Sequence, residues 1–202
     1  MARTAGSVGD KTAAAVRAAA RRLFAQSGYP AVSMRAIATE VGIQAGALYN
    51  HFPTKQAILL DLMRAHMTEV LEASEAAVPR EGDPVARLNA FTRFHLRHHL
   101  PRGDAVFISY MELRSLEPEN FREIDALRGR YEGRLIAILR DGREAGLFSI
   151  RDDRVTAMAI IAMLTGVTSW YREGGRLGVS EIETIYLELV ARSVGLTVAE
   201  GV

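Results

Sequence analysis

Cysteine is absent from this 202-residue chain, which removes disulfide frameworks and thiolate metal sites together. Nor does any apolar run approach the ~18 residues of a membrane span. The N-terminal MARTAGSVGD also lacks an apolar signal core. Those absences lead to the expectation of a soluble, cytoplasmic protein with no membrane partner. With 6 Pro and 17 Gly the chain is not biased toward disorder. Bulk charge is missing too, since 25 Lys and Arg stand against 24 Asp and Glu for a net +1. No convincing strand alternation and no internal repeat is visible. Neither is a Ser-His-Asp order, a phosphate loop or a zinc-hydrolase motif. Catalytic residues, cofactors and a metal are therefore not expected. His95, His98 and His99 have helical spacing but no carboxylate at ligand distance, and they are read as packed or solvated.

What is there is helical periodicity over nearly the whole length, with 49% hydrophobic residues to bury. Asp10 is the expected cap of a first helix with Val16, Ala20, Leu23 and Phe24 on one face, ended by Gly28 and Pro30. Ser33 caps a second helix carrying Ile37 and Val41, and Gly42 stops it. A third runs from about Gln44 to His51. Thr54 caps a long fourth helix that fades near Pro79, and Asp83-Pro84 starts the next. Further helices are placed at about 84–100, 103–116, 118–145, 152–173 and 180–194, with Gly146 as a C-terminal cap and Ser180 with Glu183 as a capping box. The fold class is all-α, with about nine helices. Residues 1–9 are expected to be a disordered tail, 10–54 a helix-turn-helix domain, and 55–202 a larger helical bundle.

The near-neutral total hides an asymmetry. Residues 1–60 hold seven Lys or Arg against Asp10 and Glu40, a balance of +5, which leaves −4 for the remainder. A basic N-terminal segment on a mildly acidic partner suits a DNA module joined to something else, although a solvated helix face reads the same way. Within it, Ser33 to Lys55 reads SMRAIATEVGIQAGALYNHFPTK. Ile37, Val41, Ile43 and Leu48 supply a brace and Gly42 a turn, leaving Gln44, Ala45, Ala47, Tyr49 and Asn50 outward on the third helix. Gln and Asn bond adenine bidentately and Ala touches a thymine methyl, so these five are the candidate base contacts. Ser33, Arg35, Tyr49, His51 and Lys55 are the candidate phosphate contacts, because the helix start at Ser33 offers free amides and the rest offer polar or cationic tips. Phe52 is read as core. Of Arg17, Arg21 and Arg22, at most one is expected to face DNA.

This stretch closely resembles the DNA-binding domain of the tetracycline-repressor (TetR) family. The resemblance covers about residues 11–66 and rests on Phe24, Gly28, Tyr29, Ser33, Ile37, Ala38, Gly42, Ile43, Gly46, Leu48, Tyr49, His51, Phe52, Thr54 and Lys55, all in register. Val41 stands where the family often has Ala, and Gln44 replaces the usual Ser or Thr cap of the recognition helix.

The resemblance implies that the later helices bind a ligand and form a homodimer. Phe91, Phe94, Phe107, Tyr110, Met111, Tyr131 and Trp170 are the candidate pocket residues, although each taken singly fits plain core. Met158, Ala162, Met163, Gly166, Val167 and Trp170 make one apolar stripe. Ile182, Ile185, Tyr186, Leu189 and Val190 make a second. Two such hairpins meeting across a two-fold axis give a four-helix dimer interface, with Met163, Val167, Ile182, Ile185, Tyr186 and Leu189 as its candidate residues. Leu113-Arg114-Ser115-Leu116, the Arg128-x-x-Tyr131 spacing and Trp170-Tyr171-Arg172-x-Gly174-Gly175-Arg176-Leu177 are similar to a branch that controls lipid and steroid catabolism in response to acyl-CoA. Arg172 and Arg176 suit a phosphorylated head or a helix C-terminus equally well.

The resulting expectation is a homodimeric, ligand-responsive repressor of a palindromic operator on double-stranded DNA, released by a hydrophobic effector of acyl-CoA type. The alternatives are a small-molecule-binding helical protein or an enzyme with a non-functional helix-turn-helix, and activation in place of repression.

Overall fold

Helices make up all the regular structure in the computed structural model, which describes residues 4–196, with side chains from Gly9 onward. The α-helices are α1 (Thr4–Ser27), α2 (Met34–Val41), α3 (Ala45–Tyr49), α4 (Lys55–Ala77), α5 (Pro84–His99), α6 (Gly103–Met111), α7 (Pro118–Glu144), α8 (Asp153–Trp170) and α9 (Val179–Ser193). Single 3-10 turns lie at Leu100–Arg102 and Leu113–Ser115, and there is no strand among the described residues. Among those residues no helix is long and apolar enough to cross a membrane.

Four of the nine α-helix starts among the described residues follow from side-chain caps that satisfy otherwise orphaned amides. Ser33 Oγ accepts from Ala36 N at 3.1 Å and Thr54 Oγ1 from Ala57 N at 3.0 Å. Asp83 Oδ2 accepts from Ala86 N at 2.9 Å and Asp152 Oδ1 from Val155 N at 2.8 Å.

Three local expectations need correction. The first helix begins at Thr4, so the tail placed at residues 1–9 is helical from Thr4, while residues 1–3 lie outside the described residues. Asp10 is interior to that helix, because nothing in the preceding small residues terminates it. The capping box of α9 is shifted by two: Glu181 Oε2 accepts from Gly178 N at 2.8 Å, and Ser180 already lies inside the helix. The sixth helix stops at Met111, and residues 113–115 tighten into a 3-10 turn.

The chain divides into two compact units. The first runs to Met67 and adds Asp104–Asp125; the second takes Thr68–Gly103 and the chain from Ala126 onward. The boundary expected at 54/55 is therefore not where the packing divides, because the first part of α4, α6 and the start of α7 belong with the helix-turn-helix. In the first unit α1 packs on α2 and α2 on α3. Val16, Ala20 and Phe24 of α1, Ile37 of α2, Leu48 of α3 and Ile58, Leu59 and Met63 of α4 are all fully buried. Each large side chain so buried contributes ~1.5–3 kcal/mol, which is what holds these four helices in one geometry.

In the second unit α5 is central, with α8 and α9 packed on it. Leu88, Phe91 and Leu96 of α5, Leu135 and Ile138 of α7, Ile160 and Leu164 of α8 and Ile182 of α9 fill its core. Two polar features are buried there. His95 is fully enclosed, its Nδ1 2.9 Å from Tyr131 Oη and its Nε2 3.1 Å from Thr165 Oγ1. Glu183 of α9 is almost fully buried, and it accepts from Arg97 Nε at 2.5 Å and Arg97 Nη2 at 2.8 Å. The carboxylate read as a cap is thus the α5–α9 clamp. Gly142 of α7 is required by close approach, since a Cβ there would lie 2.1 Å from the buried Phe148 ring.

Candidate nucleic-acid interface and effector region

The α2–α3 corner is built from the inside outward. Gly42 adopts φ +76°, a left-handed conformation that costs a side-chain-bearing residue ~1–2 kcal/mol, and this lets the chain reverse after one residue. Its N–H donates to Thr39 O at 3.0 Å, and Ile43 N–H donates to Ala38 O at 3.0 Å. Ile37 and Leu48 are completely buried, pinning α2 and α3 to the core, while Val41 and Ile43 are only half-buried. α3 is short: Gln44 sits at its N-cap with no side-chain cap bond, and Asn50 ends it. Gln44, Ala47, Tyr49 and Asn50 are all exposed, Tyr49 at 50%, and Ala45 is half-buried. The uncapped amide end that Gln44 leaves behind frees its carboxamide for an outside partner. The five candidate base contacts thus sit on one short element whose opposite side is sealed by Leu48.

The candidate phosphate contacts separate into two kinds. Ser33, Arg35 and Tyr49 are exposed and His51 is half-buried, around the start of α2 and the end of α3. Lys55 is turned inward. Its ammonium donates to Val32 O at 2.7 Å and Tyr29 O at 2.8 Å, approaches Pro30 O at 3.5 Å, and lies 4.1 Å from the centre of the Tyr29 ring. Burial pulls its pKa below the ordinary lysine range, opposed by the charge of Glu112. An ammonium has three N–H donors, so three carbonyls and a ring face leave little for a phosphate. Lys55 ties the loop before α2 to the start of α4.

That loop has a second tie which the sequence did not suggest. Glu112, buried, accepts from Tyr29 N at 2.9 Å through Oε1 and from Ser115 Oγ at 2.7 Å through Oε2. Gln56 of α4 donates to Ser115 O at 2.6 Å, while its Oε1 lies 3.3 Å from both Glu117 N and Asn120 Nδ2. The end of α6 and the start of α7 are thereby bonded to the loop and helix that carry the reading face. The partners are 59 to 83 residues apart in sequence, and no local pattern announces them.

Part of the positive charge of the N-terminal segment is used internally. Arg17 Nε donates to Asp61 Oδ2 at 2.6 Å, just beyond the stretch over which +5 was counted, and Arg22 pairs with Glu40 at 3.0 Å. Lys11, Arg21, Arg22 and Arg35 are the exposed cations among the described residues up to 60.

The candidate pocket residues fall into three groups. Phe91 and Tyr131 are buried and stacked with ring centres 5.2 Å apart, and Phe94 lies 6.5 Å from Tyr131, so these form an aromatic core around His95. Phe94 also lines a cleft of about 480 Å³ with Arg93, Arg97, His98 and Arg102. Burial pulls the His98 pKa below its ordinary value, the nearby Arg102 charge adding to this and Glu69 opposing it. Phe107, Tyr110 and Met111 lie on α6 in the first unit, where Tyr110 and Met111 line an open hollow of about 350 Å³ with Leu113, Arg114 and Phe121. Trp170 is 51% exposed at the end of α8 and lines neither of these hollows.

Of the candidate dimer residues, Val167 and Ile182 are buried in the protomer's own core because α8 and α9 turn those faces toward α5. Met163 and Tyr186 are half-buried, and Ile185 and Leu189 are exposed. Val155, Met158, Ala162, Gly166 and Trp170 continue the outward stripe along α8 at helical spacing, with Val155 extending the stripe read from the sequence.

Comparison with known proteins agrees with this geometry at both ends of the chain. Residues 16–62 match the family of bacterial regulatory proteins described as the tetR family, and residues 81–194 match the tetracyclin repressor-like C-terminal domain. The chain is 28% identical over 206 residues to the HTH-type transcriptional repressor KstR2 of Mycobacterium tuberculosis (strain ATCC 25618 / H37Rv), covering 100% of both. A bacterial regulatory protein of the tetR family from Rhodococcus RHA1 superposes with a TM-score of 0.87 at 31% identity, over 93% of this chain and 99% of the other. AibR, solved in complex with isovaleryl coenzyme A and operator DNA, superposes with a TM-score of 0.81 at 26% identity, over 89% and 97% of the two chains.

Proposed function

Because the chain belongs to the TetR family of bacterial regulatory proteins, we propose that it is a ligand-responsive, DNA-binding transcriptional repressor rather than an enzyme, acting in the cytoplasm as a homodimer on a palindromic operator. The carrying observation is the exposed set Gln44, Ala47, Tyr49 and Asn50 with Ala45 on α3, braced from behind by the fully buried Leu48 and Ile37. A short helix held this way enters a major groove and presents amide and methyl groups to base edges, each bidentate pair giving ~1–3 kcal/mol of discrimination. Ser33, Arg35, Tyr49 and His51 meet the flanking phosphates and set register. Lys55 fixes the loop that positions Ser33 and Arg35.

A palindrome needs two heads about 34–36 Å apart. The outward stripes of α8 and α9, with Met158, Gly166, Trp170, Ile185 and Leu189, supply a self-complementary apolar surface for that dimer. The effector is a hydrophobic thioester of coenzyme A, in keeping with the AibR complex with isovaleryl coenzyme A and with the arginine-rich clefts of the second unit. Its binding changes the spacing of the two heads, and ligand and operator oppose one another with coupling of ~1–3 kcal/mol. Glu112 and Gln56 are the bonds through which a movement of α6 reaches the loop before α2.

Binding-site selection from genomic DNA by the purified chain, repeated in the presence of a series of acyl-CoA esters, tests the reading. A two-fold symmetric site released by one ester and not by the free acid is the expected result. An asymmetric or absent site, or turnover of the ester, overturns it.

A further inference from the structure

We propose that a groove on the second unit, between the end of α4, the loop after it, the start of α5 and the middle of α7, binds the phosphate groups of a small phosphorylated ligand. The groove encloses about 380 Å³, within the range of small-molecule sites. Four guanidiniums converge on it from separate segments: Arg80 from the loop, Arg87 from α5, and Arg130 and Arg134 from α7. Only two carboxylates answer them. Glu75 lies 2.9 Å from Arg80 and 3.6 Å from Arg134, and Asp141 lies 2.6 Å from Arg87. Two positive charges are left unbalanced around one hollow, an arrangement that costs repulsion unless an anion enters.

The buried guanidiniums say what kind of anion. Arg87 is almost fully buried and the Arg134 side chain is 15% exposed. Arg134 donates through Nη2 to Ser74 O and Val78 O, both at 3.1 Å, while its Nε is buried without an acceptor. Burial pulls its pKa below the ordinary arginine range, with Arg80 adding to this and Glu75 opposing. Cations sunk in a concavity suit a compact phosphate or pyrophosphate entering from solvent; a duplex needs cations that stand proud of the surface. Leu71, Val78, Pro79, Ala137 and Ile138 line the same hollow and offer an apolar wall for whatever carries the phosphates. Guanidinium forks bind phosphate oxygens two at a time, which gives the site its directionality. A coenzyme A head and a free nucleoside diphosphate share this chemistry.

Titration calorimetry of the full chain with inorganic pyrophosphate, ADP and coenzyme A tests the assignment, alongside R80Q/R130Q, which alters only exposed arginines and leaves Arg87 and Arg134 in place. Saturable pyrophosphate binding that weakens at least tenfold in R80Q/R130Q, with an unchanged melting temperature, is the expected result. Tighter binding of coenzyme A than of ADP marks the thioester effector as the source, and the reverse marks a nucleotide; both uphold the groove. No saturable binding of any of the three, equal binding by the variant, or displacement of pyrophosphate by random-sequence duplex DNA overturns it. If acyl-CoA releases the operator from wild type and R80Q/R130Q alike and pyrophosphate binds both equally, the groove assignment fails and the effector reading stands. If pyrophosphate binding is lost in the variant but no thioester releases the operator, the effector reading fails and the groove stands.

Discussion

The two compact units are both rich in arginine and lysine, yet they use those charges in opposite ways. In the head, Arg17 closes on Asp61, Arg22 on Glu40 and Lys55 on the carbonyls of the loop before α2, so these three cations work as internal braces. The surface that remains for reading is mostly neutral: Gln44, Ala47, Tyr49 and Asn50. In the second unit Arg80, Arg87, Arg130 and Arg134 converge on a hollow with only two carboxylates among them. The difference teaches that a cation in the sequence is available to a partner only to the extent that nearer oxygens leave N–H donors and net charge unanswered. Specificity then rests on amides and methyls held in place by braces, while anion capture rests on positive charges that the fold leaves unbalanced.

The contrast breaks first at Lys55. If it is a brace, Lys55→Ala removes two short charge-assisted bonds, each worth ~1.5–3 kcal/mol. The first unit then loses about 3–6 kcal/mol of stability, and operator affinity falls by more than a hundredfold because the α2 start is no longer fixed. Lys55→Arg, whose planar fork does not fit three converging carbonyls, rescues little. Chemical denaturation and the salt dependence of operator binding check this together. A phosphate contact predicts instead a stable protein whose salt slope falls by about one ion.

The reading face comes next. Gln44→Ala or Asn50→Ala should relax preference at one or two operator positions by ~1–3 kcal/mol each without altering the melting temperature. Tyr49→Ala should weaken all sequences alike. Selection of binding sites by each variant separates the two behaviours, and a Gln44→Ala protein with unchanged site preference would remove that residue from the reading set.

Glu112→Gln is a smaller perturbation. The amide keeps one acceptor for Tyr29 N–H but loses the charge-assisted character of both bonds, costing ~1 kcal/mol. Its effect on operator binding in the absence of effector should be slight, whereas the release caused by effector should be blunted, since the tie between α6 and the loop is weakened. Paired gel shifts with and without effector read that difference. A variant that releases normally removes Glu112 from the coupling.

Much of this was legible in the sequence where the determinants are local. Ser33 and Thr54 announce helix starts, Gly42 announces the turn, and the spacing of Ile37 and Leu48 announces which side is buried, because each depends on neighbours within a few residues. What was not legible depends on partners far along the chain. Lys55 reads as a surface cation until the loop 23 to 26 residues before it is folded back. Glu183 sits three residues after Ser180 and so mimics a capping box, but Arg97, 86 residues away, claims it. Val167 and Ile182 fall on helices that are apolar in two directions, and periodicity alone does not say which faces the protomer's own α5. The exposed outer stripe from Val155 to Trp170 became distinct only once the inner one was filled.

The mildest test concerns protons in the second unit, where His98 stands beside Arg102 in the arginine-lined cleft. Burial first, and then the Arg102 charge, lowers its folded pKa below the unfolded value near 6.5. The sign follows from proton uptake: as pH falls through about 6.5 the unfolded chain binds a proton that the folded chain still refuses, so stability declines until the folded pKa is passed. Stability tied to this residue is therefore full above about pH 7 and lost on acidification, the reverse of a histidine that gains a carboxylate partner. Melting temperatures at pH 7.5 and 5.5 should differ by a few degrees at most, and His98→Asn should narrow that gap. If the gap is unchanged, His98 takes its proton without cost. The cleft would then carry less positive potential than its three arginines suggest, because Glu183 and Glu69 have already answered them.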